Sequence, residues 1–190
     1  MTTNNAINVG LSGTTGSGNY AGSTSASFTT PTLGAATATS IAFSPTTGGL
    51  IGTTAADSAS SGTVGEFVTA TVTSGSGASV PTTNTAANVT SISLSAGDWD
   101  VIGNVMGKNS GDNLTVLSCW ISTTSATAPD QSLISTYINT NSGSSTTIGG
   151  STSFIRINIS GTTTVYLSTS ITFSAGTQTA SGSIFARRAR

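Results

Sequence analysis

What this chain lacks is most of the apparatus of catalysis. It has no histidine, and only 6% of its 190 residues are charged. Cys119 is its one cysteine and Lys108 its one lysine. Without histidine the commonest general base is missing, and Cys119 has no imidazole to activate it. A lone thiol forms no intrachain disulfide and no cysteine-based zinc centre. It sits in Leu117-Ser118-Cys119-Trp120-Ile121, where a small apolar side chain suits a strand. A net charge of −1 offers a polyanion little to grip. The one basic cluster, Arg187, Arg188 and Arg190, is short and has no interleaved aromatics, so it reads as a solvated or interface-pairing terminus. No apolar run approaches the length of a membrane-spanning helix, and Met1–Asn5 has neither half of a signal peptide. The expectation is a protein made in a cytosol, not an enzyme, with no cofactor, no nucleic-acid partner and no membrane.

What is present is Gly, Ser and Thr arranged with period two. Thr suits a pleated, half-exposed surface. Alternating runs recur at 64–72, 89–94, 99–106, 114–121, 133–138, 154–159, 165–173 and 178–186. Turn residues separate them, among them Ala96-Gly97-Asp98, Pro129-Asp130, Ser160-Gly161 and Ala175-Gly176. Trp99, Val101, Gly103 and Val105 fall on one face of their run. Leu114, Val116 and Trp120 fall on one face of theirs, and Leu117, Cys119 and Ile121 on the other. No apolar period of 3.6 residues is sustained. The fold class is therefore all-β: about eight antiparallel strands in a jelly-roll sandwich, preceded by an extended N-terminal arm.

The arm is residues 1–62, rich in Gly, Ser, Thr, Ala and Asn, with Asp57 its only charge. Its apolar marks include Ile7, Val9, Phe28 and Leu33, which are too sparse for a core. They suit either a disordered tail or an arm that orders against a partner. Residues 63–190 form the strand domain. Apolar residues on both faces of several strands point beyond a monomer. The last strand, Ile184-Phe185-Ala186 running into arginines, suits either a trimer axis or an ordinary sandwich. Trp99, Trp120, Arg156, Ile184 and Phe185 are the residues assigned to a trimer interface or core.

Few groups are candidates for chemistry. Asp98 and Asp100 flank Trp99 and share a strand face. A Ca²⁺ site with Asp112 as third ligand is conceivable. The simpler reading puts both acids on the solvent side, with Trp99 in the core. Trp120 and Tyr137 could stack on a sugar ring, although aromatics in strands are usually core. Arg156, mid-strand, belongs at a subunit interface or in solvent.

The run Asn88–Val101, with its Gly97-Asp98-Trp99-Asp100-Val101 centre, resembles a segment of bacteriophage fibre and virion proteins. So do Ile121–Ala126, the ending Gly182–Arg190 and, upstream, Ser27–Gly34, which is similar to tail-fibre shaft linkers. The resemblance implies a phage structural protein with a tumour-necrosis-factor-like jelly roll that assembles as a homotrimer. The arm would anchor it to the major capsid protein or another virion component. With Met1 only some 60 residues before the sandwich, a capsid decoration protein or head fibre is expected. The alternative is a short tail fibre or receptor-binding tip recognising a host surface glycan.

Overall fold

The computed structural model describes residues 57–109, 114–139, 147–176 and 178–190. The arm residues Ile7, Val9, Phe28 and Leu33, and Asp112, lie outside them. Asp57–Gly62 are exposed and carry no strand.

Ten strands follow: β1 Phe67–Val72, β2 Ala78–Val80, β3 Ala87–Leu94, β4 Gly97–Asn109, β5 Leu114–Ser122, β6 Ser135–Ile138, β7 Thr147–Ser151, β8 Ile155–Ile159, β9 Thr163–Phe173 and β10 Gln178–Arg188. All pairing is antiparallel. One sheet is ordered β1-β10-β4-β7, with β2 also on β10 and β8 also on β4; the other is β3-β9-β5-β6. β1 and β2 run in line along β10, and β7 and β8 in line along β4. Counted as lines, the eight are ordered 1-8-3-6 against 2-7-4-5, which is the jelly-roll arrangement. We call the sheet containing β10 the first sheet and the other the second.

The core lies between the sheets. Trp99, Val101, Val105, Ala180, Ile184 and Ala186 come from the first sheet; Ile92, Leu94, Leu117, Cys119, Ile121, Val165, Leu167 and Ile171 come from the second. The alternation expected for β4 holds, with Trp99, Val101, Gly103 and Val105 all buried. That of β5 holds from Val116 to Ile121 and fails at Leu114. A bulge between Leu114 and Val116 shifts the register against β9, so Leu114 joins the core beside Leu117 rather than sharing the face of Trp120. A second bulge at Asn88/Thr90 puts both Val89 and Ile92 in the core.

β2 and β7 have no apolar alternation to announce them. In β7, Gly150 faces the ring of Tyr137, and a Cβ there would overlap it. The Tyr137 hydroxyl donates to Ser151 O at 2.7 Å and accepts from Ser151 N at 2.8 Å. Tyr137 thus packs against the core and ties the second sheet to an edge of the first. It is not the sugar platform suggested by its aromatic ring.

Candidate interaction surfaces

The only charged cluster among the described residues gathers where β4 begins and β10 ends. Antiparallel pairing sets Arg188 beside Trp99 and Arg187 beside Asp100. Arg188 is buried, and its Nε donates to Glu66 Oε2 at 2.8 Å. Its Nη1 donates to Ala96 O at 2.8 Å and its Nη2 to Ser95 Oγ at 2.6 Å. The guanidinium lies over Trp99, with Cζ 4.4 Å from the ring centroid. Gly97 makes room for it: its φ is +146°, and a Cβ would overlap Arg188 Nη1. The expected solvated terminus is therefore corrected for Arg188, which bolts the last strand to the start of β1. The Gly62 N–H, and then Arg188, hold the Glu66 carboxyl below its ordinary range.

Asp98 is buried, not on the solvent side. Arg156 forks onto it: Nε donates to Oδ1 at 2.8 Å, and Nη2 bonds Oδ2. Arg190 Nε also donates to Oδ2, at 2.7 Å. These cations, Arg156 foremost, pull the carboxyl down to about 2 against burial that would raise it. A general acid needs the opposite shift. Its oxygens are turned to guanidinium groups, and no group of three metal-ligating side chains occurs among the described residues.

The outer face of the first sheet carries a different surface. On β1, Val68 and Ala70 pack inward, so Phe67 and Thr69 point outward. On β10 and β4 the inward parity is taken by Ile184, Ala186, Val101 and Val105, leaving Phe185 and Ile102 outward. Phe185 pairs with Thr69 on one side and Ile102 on the other. The rings of Phe67 and Phe185 stack with centroids 6.1 Å apart. Phe154 directly precedes the Ile155–Val101 pair and prolongs the row. Phe67, Ile102 and Phe154 are 48%, 39% and 64% exposed. Thr71, Ser183 and Asn104 lie on the same face, and Asp100, Arg156 and Arg187 flank it.

Of the residues assigned to an interface or core, Trp99 and Ile184 are core. Phe185 belongs to the outward row, and Arg156 is 57% exposed while held on Asp98. Trp120 lies outside the main core, buried on the outer side of the second sheet, with Nε1 donating to Thr127 O at 2.9 Å. Burial pushes the Cys119 thiol up to about 12, away from nucleophilic use. Phe67, Ile102 and Phe154 were not singled out by sequence. Their signal is parity: each is an apolar residue on the face opposite the core-facing positions of its strand or run.

No protein-family model matches the chain, and no curated protein matches it at a significant level.

Proposed function

We propose that the chain is a self-associating structural protein of a phage virion, a homotrimeric capsid decoration or head-fibre protein. The observation that carries the self-association is the apolar row Phe67–Phe185–Ile102–Phe154 on the outer face of the first sheet. Fully burying a Phe or Ile contributes about 1.5–3 kcal/mol. These side chains are already partly covered, so each supplies about half of that on association. Asp100 between Arg156 and Arg187 puts both signs of charge at the margin of the row, which lets adjoining copies pair opposite charges where their surfaces meet. The threefold symmetry and the virion setting rest on the resemblance of Asn88–Val101 and Gly182–Arg190 to phage fibre proteins. The same resemblance gives the 1–62 arm its role of seating the trimer on the major capsid protein or a neighbouring virion component. Extremely low charge and Thr-rich faces suit a protein whose work is burial and geometry.

Light scattering on a gel-filtration column tests this. A trimer of 18.6 kDa chains has a mass of about 56 kDa. Ile102→Glu places a charge in the middle of the row and should return the mass to that of one chain, with the strand content unchanged. A monomeric parent chain would overturn the self-association. A trimer that does not bind capsids stripped of decoration would overturn the virion role alone.

A further inference from the structure

The outer face of the second sheet holds a groove of about 380 Å³, within the lower range of small-molecule sites. Its floor is Ser118, Trp120, Thr136 and Ser170 on β5, β6 and β9. Asn84 stands on one wall and Gln131 on the other, from the 81–86 and 123–134 connections. No charged side chain lines it. The carboxamides of Asn84 and Gln131 engage no partner among the described residues, so their donors and acceptors are free for a ligand.

Both walls are strained and pinned. Asn84, at φ +55°, and Ala126, at φ +45°, are the two non-glycine residues with positive φ among the described residues, and they sit one in each wall connection. Such conformations persist only where surrounding structure over-determines them, and they gather at binding sites. Asn84 N–H donates to Ile171 O at 2.8 Å. Asn88 reaches across from β3: Oδ1 accepts from Ala126 N at 2.8 Å and Nδ2 donates to Ser125 Oγ at 2.7 Å. Trp120 holds Thr127 O of the same connection. That connection is longer than an ordinary hairpin link, as binding loops often are. A wall fixed in advance spares a ligand the cost of ordering it.

From this we infer that the groove binds an uncharged saccharide. Hydroxyls and carboxamides on two sides match a ring bearing hydroxyl groups in several directions. The apolar Ala86, Ala128 and Ile134 among them match its C–H surfaces. A phosphate, sulfate or uronate would find no counter-charge. Trp120, only 2% exposed, is the floor of the site and not a stacking platform.

The chain has two indole N–H groups, Trp99 in the core and Trp120 in the groove. In ¹H–¹⁵N spectra of the full chain, glucose, galactose, mannose, rhamnose, N-acetylglucosamine and their disaccharides are titrated, with glucuronate as the charged control. At least one neutral sugar should shift the Trp120 indole and the Asn84 and Gln131 side-chain amides saturably, while the Trp99 indole stays in place. A disaccharide that binds more tightly than its monosaccharides identifies a glycan chain as the ligand; equal binding identifies a single sugar. Gln131 is exposed, so Gln131→Ala should keep the fold, as the unmoved Trp99 signal reports. It should weaken binding by about five- to tenfold, as expected for one lost hydrogen bond. No response of Trp120 to any neutral sugar overturns the inference. So does equal binding of glucuronate, or undiminished binding by Gln131→Ala. The groove is on the opposite sheet from the apolar row, so Ile102→Glu should bind the same sugar equally well whatever its mass.

Discussion

Arg188 and Trp99 lie side by side on neighbouring strands, and the guanidinium covers the indole with Cζ 4.4 Å from its centroid. The planar fork of Arg188 serves three oxygen acceptors and one ring at once. A lysine has the charge but not the plane or the reach. Arg188→Lys should therefore lower the urea midpoint nearly as far as Arg188→Ala, and both should fall well below Arg187→Ala, whose side chain is exposed. Equal midpoints for the three variants would mean that the bolt contributes nothing.

Acid should loosen the same end of the molecule. Asp98 titrates at about 2 in the folded chain against an ordinary 3.8. Glu66 is lowered too. A depressed carboxyl contributes stability that is complete above its unfolded value. That stability is lost as pH falls through 3.8 towards about 2, because the unfolded chain takes up protons first. Urea titrations at a series of pH values should show stability falling across that window. Asp98→Asn should be less stable near neutrality and show a shallower fall. An unchanged slope in the variant would place the acid sensitivity elsewhere.

How far these features were legible in the sequence follows from the range of the interactions that make them. Alternation within a strand is local, and the eight runs and the core parity of β4 could be read. β2 and β7 could not. Their residues answer to a neighbour: Gly150 is small because the Tyr137 ring lies against it. The bulges at Asn88/Thr90 and Leu114/Val116 depend on what β9 opposes to them, so alternation alone puts Leu114 on the wrong face, while Trp120 lies opposite Leu117, Cys119 and Ile121 as expected. Asp98 looked solvent-facing because its partners, Arg156 and Arg190, are 58 and 92 positions away. The groove needed the most: Asn84, Trp120 and Gln131 become one surface only when β5, β6, β9 and two connections are assembled.

Cys119 provides a probe of opening. It is buried in the core, its thiol is pushed up to about 12, and the chain has no other cysteine. A thiol reagent at mildly alkaline pH should label the folded protein only as fast as the sandwich opens. The labelling rate should track stability across variants when closing outruns labelling. Prompt labelling of the native chain at the rate of a free thiol would mean that the β5–β9 side of the core is open.

Gly150 and Tyr137 give the sharpest test of packing. A Cβ at Gly150 falls on the Tyr137 ring, whose hydroxyl is tied at both ends to Ser151, so the ring cannot swing aside without losing those bonds. Gly150→Ala should therefore cost about 1–3 kcal/mol, the range for overpacking. The clash needs the ring. In a Tyr137→Ala background the same substitution should cost almost nothing, because the space is vacant. Four denaturation curves close the cycle, and the coupling should be of the size of the single-variant loss. Additive losses would show that Gly150 is required by its own backbone, and that Tyr137 does not set the small residue in β7.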